Sequence, residues 1–165
     1  MSLENLNIRT AKKDDAEAIG QIAYEVIKTG DTWIFAPDTS KEKLLDYFFD
    51  KKKYLYVAEM EDQIVGFFFL TENQKDLGNH IANAGYMVSP NLQIKGIGRR
   101  MGDFSLLEAK RLGFQAMQFN FVVKTNEKAV HLWQSLGFQI IGEIPEAFQH
   151  SELGLVNAFI MYKKL

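Results

Sequence analysis

Three β-rich runs follow one another with no helical pattern between them: Tyr54 to Met60, Ile64 to Leu70 and Ile81 to Ser89. The polar turn Glu61-Asp62-Gln63 between the first two marks an antiparallel hairpin. A doubly wound sheet puts a helix after nearly every strand, so this succession excludes one. The pattern then changes. Ile97, Met101, Phe104 and Leu107 recur at helical spacing, predicting a helix over Gly98 to Leu112 that stops at Gly113. Ala116 to Val123 reads as a strand again. An antiparallel front joined to a strand-helix-strand unit makes a mixed sheet, hence an α+β domain, which some schemes count as α/β.

The flanks complete the pattern. Leu6 to Lys12 is a first strand, and Asp14 with Glu17 forms a capping box opening a helix whose apolar positions Ala16, Ile19, Ile22, Ala23, Val26 and Ile27 run to Gly30. Thr39 and Glu42 form a second box before Leu44, Leu45, Phe48 and Phe49, with an aromatic-bearing loop, Asp31 to Asp38, between the helices. Ala129, Leu132, Trp133 and Leu136 share one face of a short helix that Gly137 ends, and Phe138 to Ile144 and Leu155 to Tyr162 are the last strands. The expectation is about seven strands with flanking helices in one domain, 1–165.

Composition narrows the chemistry. With 165 residues the chain buries roughly 70% of its unfolded surface, enough for a core without staples. A formal charge of −2 gives no bulk field for a nucleic acid or an anionic membrane, so an anionic ligand has to be caught locally. The absence of cysteine excludes disulfides and a thiol nucleophile, and with only 3 histidines no metal site is expected. The apolar stretch Ile64 to Leu70 is too short for a membrane span, and Met1-Ser2-Leu3-Glu4 lacks the pattern of a secretory signal, so a cytoplasmic location is expected.

The chemistry concentrates between Val88 and Arg100, where a strand end and a turn lead through Gly96 and Gly98 into a helix. Helix-opening N–H groups point outward with the positive end of the macrodipole, and glycine lets an anion approach the main chain. Lys95, Arg99 and Arg100 add charge. No Walker Lys-Ser/Thr pair is present, and Met101 occupies the last position of Gly-x-Gly-x-x-Gly, so neither nucleotide motif fits. The bland alternative is a tight turn needing glycine.

Gln93-Ile94-Lys95-Gly96-Ile97-Gly98 resembles the acyl-CoA loop of the GNAT superfamily of N-acetyltransferases, Gln/Arg-x-x-Gly-x-Gly/Ala. A second family signature follows at Asn126-x-x-Ala129-x-x-Leu132-Trp133-x-x-x-Gly137-Phe138. The resemblance spans Leu6 to Leu165 and implies the GNAT fold, with its fourth and fifth strands splayed. It also implies direct transfer of an acetyl group from acetyl-CoA to an amine in that notch. By the same resemblance, the main chain of Met87 and Val88 pairs with the pantetheine arm, and the Val88 N–H is the oxyanion donor. The amides from Ile94 through Lys95, Gly96, Ile97 and Gly98 to Arg99 hold the pyrophosphate, Gln93 is a further cofactor contact, and Asn126 contacts the pantetheine or its neighbourhood. Trp33, Phe35 and Tyr47 belong to the acceptor wall, the alternative being that Trp33 and Phe35 simply cap the core.

The chain departs from the family at two places. Trp133 stands where tyrosine often protonates the departing thiolate; indole is no practical proton source, which leaves Tyr86 or water for that role and leaves Trp133 either as core or as a CoA contact. Phe121 stands where some relatives carry a glutamate base, and Asn120, expected on the opposite face with Gln118 and Val122, needs a polar partner, either substrate or structure. His131 is expected in solvent, and Glu146, His150 and Glu152 in a last long loop. The leading expectation is an N-acetyltransferase acting on a primary or secondary amine of a small molecule, with acetyl-CoA as co-substrate. The alternatives are acetylation of a protein N-terminus or lysine, and a non-catalytic acyl-CoA-binding module. Family members are often dimers, so a homodimer is also kept open.

Overall fold

Seven strands form one sheet in the order β1-β2-β3-β4-β5-β7-β6. In chain order the elements are β1 (Asn7–Thr10), α1 (Ala16–Ile27), α2 (Lys41–Phe48), β2 (Tyr54–Met60), β3 (Gln63–Glu72), β4 (Ile81–Val88), α3 (Ile97–Arg111), β5 (Ala116–Val123), α4 (Glu127–Ser135), β6 (Gln139–His150) and β7 (Gly154–Lys164). The structure, a computed structural model, describes residues 3–92 and 94–165. Every neighbouring pair is antiparallel except β4 with β5, which is parallel. The α+β, mixed-sheet expectation is met.

The central strands read as unbroken apolar runs because both faces of the sheet are covered. Tyr56, Ala58, Met60, Phe68 and Leu70 pack with Met101 and Ala109 of α3 and Trp133 of α4. Leu55, Val57, Phe67 and Phe69 pack instead with Ile19, Ile22 and Ile27 of α1 and Leu44 and Phe48 of α2. Phe48, fully buried, meets Phe67 edge-on at 4.8 Å and Tyr47 at 5.1 Å, arrangements that aromatic quadrupoles favour.

Three boundaries differ from expectation. The first helical turn opens at Lys12, whose N–H donates to Asp15 Oδ2 at 2.7 Å, so the Asp14–Glu17 box is not the start signal. α2 is capped by Ser40, which accepts from Lys43 N–H at 3.3 Å, rather than by its neighbour Thr39. β6 runs to His150, so Glu146 and His150 lie in a strand and only the turn at 151–153 connects it to β7. As an edge strand exposed for most of its length, β6 carries no apolar alternation for a sequence reading to find.

One polar tie locks β1 to the start of α1. Arg9 holds Asp15 through two hydrogen bonds of 2.8 and 3.0 Å and reaches Glu59 of β2 at 2.9 Å. The Arg9 guanidinium keeps the Asp15 carboxyl below the usual carboxylate range despite its burial. A depressed carboxylate stabilises the fold above its unfolded pKa and loses that contribution as pH falls through the folded one. Asp15→Asn should therefore cost about 3 kcal/mol at neutral pH. That difference should shrink progressively as pH falls from the ordinary carboxylate pKa of about 4 through the lower folded one. Urea denaturation at neutral and at acidic pH checks this, and an equal loss at both would contradict it.

Candidate active site

The site begins where two neighbouring strands part. β4 and β5 are in register only at Ile81–Ala116 and Ala82–Met117, although each strand has 8 residues. Beyond Ala82 the edge of β4 that faces β5 has no ladder partner. Which main-chain groups look into the gap follows from the pairing with β3. Ser89 N–H donates to Val65 O at 2.9 Å, Asn73 N–H donates to Ile81 O at 2.8 Å, and the register between them has no shift. Antiparallel strands alternate bonded and non-bonded pairs. Residues 81, 83, 85, 87 and 89 thus turn their main chain to β3, while Ala84, Tyr86 and Val88 turn theirs to the gap. This corrects the expectation for Met87: its N–H and C=O face Phe67, and its side chain is buried with the α1–α2 core. Tyr86 and Val88 hold the positions available to an extended ligand. The Ala84 N–H is already met by Asn83 Oδ1 at 2.8 Å.

Next to Val88 stands the start of α3. Gly96 is its N-cap with φ of +98°, a left-handed conformation that glycine adopts without strain. The first bond of the helix runs from Arg100 N–H to Gly96 O at 3.0 Å, so the N–H groups of Ile97, Gly98 and Arg99 precede the ladder. Among the described residues nothing accepts from them. A Cβ built on Gly98 would lie 4.0 Å from Val88 Cγ2 and 3.5 Å from Leu132 Cδ2, which puts this cradle beside the upper end of the gap. Lys95 and Arg100 are exposed, without an ion pair among the described residues. Arg99 donates to Ser135 Oγ at 3.0 Å and lies 3.6 Å from Asp103. Its main chain belongs to the cradle while its side chain follows α4. Ile94 is half-buried against the α3-side core, and Gln93 lies outside the described residues.

A cavity of about 320 Å³ passes through the gap. On the α3–α4 side it is lined by Tyr86, Phe119, Val122, Asn126, Ala129 and Trp133. Trp133, 8% exposed, sits 4.7 Å from both Tyr86 and Phe119, so it props β4 against β5. It is core and cavity floor at once. Its indole nitrogen has no partner among the described residues, yet no buried side-chain nitrogen or oxygen among them is left unpaired. That N–H therefore borders accessible space. Asn126 caps α4, its Oδ1 accepting from Ala129 N–H at 3.3 Å. Its amide NH2 group finds no acceptor among the described residues.

Tyr86 is poorly placed as a proton donor. The Tyr86 hydroxyl lies 2.7 Å from Ser105 Oγ, a bond in which either can donate, and 3.7 Å from Met117 Sδ, while Ser105 Oγ is also 2.8 Å from Gly102 O. Burial pushes that phenol well above its ordinary pKa. The hydroxyl that the catalytic expectation needs is engaged with Ser105 of α3 and Met117 of β5, while Tyr86 borders the cavity.

On the α1–α2 side the walls are aromatic. Trp33 lies so close to β4 that a Cβ on Gly85 would approach its Cη2 to 2.7 Å, and Phe69 Cε1 to the same distance. Trp33 stacks on Phe35 at 6.1 Å, and Tyr47 meets Phe35 at 5.0 Å. Trp33, Tyr47 and Phe69 line the cavity, while Phe35 stands behind them as support. The β6–β7 turn holds the Trp33 loop shut: Ser151 N–H donates to Gly30 O at 3.0 Å and Ser151 Oγ to Thr29 O at 2.7 Å. His150 serves that turn, its Nδ1 accepting from Glu152 N–H at 3.1 Å, and His131 is exposed on α4.

β5 completes the wall with a bulge. Its register with β7 shifts between Phe119 and Val122, and both of these residues enter the α3-side core. The extra residue sends Asn120 and Phe121 together to the other side, where Phe121 meets Phe148 of β6 at 6.2 Å. Val122 consequently does not share a face with Asn120, as simple alternation had implied. The polar partner of Asn120 is supplied from within: it donates to Asn73 Oδ1 at 2.7 Å and accepts from Gln118 Nε2 at 2.9 Å. Asn120 is exposed and borders the cavity. The sequence reading passed over Asn83 and Gly85. A lone glycine inside a β-rich run is the usual mark of a close approach, and Gly85 carried that signal.

No carboxylate, imidazole, ammonium or guanidinium lines the cavity among the described residues. Nor do the described residues contain a cluster of metal-ligating side chains, and none of their helices is long and apolar enough to cross a membrane.

Comparison with known proteins agrees with this geometry. A solved structure of a GCN5-related N-acetyltransferase from Kribbella flavida superposes with a TM-score of 0.93 at 35% identity, covering 99% of this chain and 100% of that one. The Salmonella typhimurium yncA structure, described as a putative acetyltransferase with its cofactor acetyl-CoA, shares the fold with a TM-score of 0.84 at 22% identity, covering 98% of this chain and 94% of that one. Among curated relatives, N-acetyltransferase aca1 of Schizosaccharomyces pombe is 36% identical over 103 residues, 62% of this chain and 49% of its own length. The mycothiol acetyltransferase of Propionibacterium freudenreichii is 21% identical over 140 residues, 84% of this chain and 44% of its own length. The chain thus spans about half the length, or less, of the curated relatives it matches. The sequence profile of the acetyltransferase (GNAT) family matches residues 12–138, and the chain belongs to that family.

Proposed function

We propose that this chain transfers the acetyl group of acetyl-CoA to the amine of a small molecule. The observation that carries the reading is the continuity of three features: the unpaired amides that open α3, the free β4 edge at Tyr86 and Val88, and the cavity through the β4–β5 gap. In this reading the cradle amides of Ile97, Gly98 and Arg99 take the diphosphate, with Lys95 and Arg100 adding charge. Tyr86 and Val88 pair with the pantetheine as a further strand would. The acceptor nitrogen enters from the Trp33 side and attacks the thioester carbon; a C–N bond forms, the C–S bond breaks, and CoA leaves as the thiolate. The Val88 N–H, aimed into the gap, stabilises the developing oxyanion by about 3 kcal/mol. The Trp133 N–H donates a hydrogen bond near the departing sulfur, the nitrogen gives up its proton to water as the amide forms, and water returns a proton to the thiolate. The latch between Ser151 and the Thr29–Gly30 main chain favours a small acceptor over a peptide, which needs an open groove.

Two outcomes are expected. A side chain at Gly98 points toward Leu132 at ordinary contact distance, so the fold should accept substitution there. Gly98→Glu should keep the thermal midpoint yet weaken acetyl-CoA binding by about 100-fold, because a carboxylate then occupies the cradle. Calorimetry checks this, and unchanged affinity would refute the diphosphate assignment.

The second outcome concerns pH. The titratable groups on the cavity wall are the phenols of Tyr47 and Tyr86, both raised by burial and hence neutral through the working range. With no base among the described residues lining the cavity, the amine attacks only as its free base. The kcat/KM for thiol release should rise about tenfold per pH unit up to the pKa of whichever amine is offered. A plateau at one fixed pH for amines of different basicity would reveal a protein base instead. Binding of acetyl-CoA with no turnover across an amine panel would favour a non-catalytic acyl-CoA module.

A further inference from the structure

After α2 the chain carries three consecutive lysines, Lys51, Lys52 and Lys53. The first two are exposed, as lysines in a turn usually are, but Lys53 folds back and is half-buried. Its Nζ donates to Tyr47 O at 2.5 Å, one of the last carbonyls of α2, where the macrodipole favours a cation. The same ammonium lies 3.3 Å from the centroid of the Tyr47 ring and 5.2 Å from that of Phe69. Lys53 forms no ion pair among the described residues; Asp50, nearby, is felt only through its field, and burial pulls the ammonium below the usual lysine pKa. A desolvated cation on an aromatic face is strongly held. Both rings it touches, Tyr47 and Phe69, line the cavity on the Trp33 side, and they meet each other edge-on at 6.0 Å.

We propose that Lys53 is a positioning residue for the acceptor wall: its ammonium pins Tyr47, and with it Phe69, in the arrangement that the incoming amine meets. This rests on reading the Trp33 side of the cavity as the acceptor site. Lys53 does not itself line the cavity, so it acts through Tyr47.

The test separates this role from a structural one. In Lys53→Met the KM for the acceptor should rise about fivefold or more, as expected for losing one cation–π contact, while kcat and the acetyl-CoA Kd stay within about twofold. Lys53→Arg keeps the cation and should restore the acceptor KM. Lys53→Gln keeps a donor for the Tyr47 carbonyl without the charge and should behave as Lys53→Met. In a double-mutant cycle, Tyr47→Leu should raise the acceptor KM, and adding Lys53→Met should change it no further. With ring-¹³C tyrosine and no acceptor present, the Tyr47 signal should move in Lys53→Met and Lys53→Gln but not in Lys53→Arg. Equal losses in kcat or acetyl-CoA affinity, additive effects in the cycle, or an unmoved Tyr47 signal would overturn the proposal. A wild-type chain that binds acetyl-CoA but acetylates no amine would instead refute the acceptor reading, and the Tyr47 signal would still decide the pinning.

Discussion

Two parallel strands that begin as neighbours and then separate leave main-chain donors and acceptors without a ladder, and the rest of this structure is arranged around that separation. A buried amide without a partner costs about 1–3 kcal/mol, so a parting of this kind survives only where side chains, water or a ligand answer it. Here Asn83 answers for the Ala84 N–H, while Tyr86 and Val88 open into a cavity. Trp133 holds the strands apart from one side by packing against Tyr86 of β4 and Phe119 of β5. On the other side the bulge in β5 places Asn120 and Phe121 where regular alternation would have placed only one of them.

The separation explains why the chemistry falls to the main chain. Among the described residues the side chains lining the cavity are aromatic, aliphatic or neutral polar, with no charged group, and the chain's net charge is only −2. In the proposed reading, attraction for an anionic co-substrate comes from the α3-opening amides that have no acceptor among the described residues, with Lys95 and Arg100 beside them. In the same reading, stabilisation of a transient oxyanion falls to one β4 amide. Dipoles of this kind are fixed before the ligand arrives, and fixed dipoles need no reorganisation at the moment of reaction. The long β6–β7 hairpin adds closure: its turn holds the Trp33 loop, and Phe148 backs Phe121.

Much of this was legible in the sequence, for identifiable reasons. Glycines that must adopt positive φ announce themselves, and Gly96, Gly113 and Gly137, at +98°, +94° and +90°, mark one helix start and two helix ends. Strands covered on both faces read as apolar runs, which located β2 and β3. The parity of β4 was not legible, because it is set by register with β3 rather than by any residue of its own, so nothing in the sequence told that the Met87 main chain turns to Phe67. Nor was the bulge legible, since Asn120 and Phe121 follow β-rich residues without a break in pattern. The Tyr86 hydroxyl looked available until Ser105, on a helix nineteen positions away, was seen to hold it. β6 was drawn too short because an edge strand in solvent loses the alternation that identifies a strand.

Amide hydrogen exchange resolved residue by residue, with and without acetyl-CoA, tests the central claim most directly. The alternating register predicts that the Met87 amide is protected in the free protein and unchanged on binding, whereas Tyr86 and Val88 exchange quickly until acetyl-CoA is added and then become protected together with Gly98 and Arg99. Protection of Tyr86 and Val88 in the free protein, or binding that leaves them exchanging as before, would contradict it.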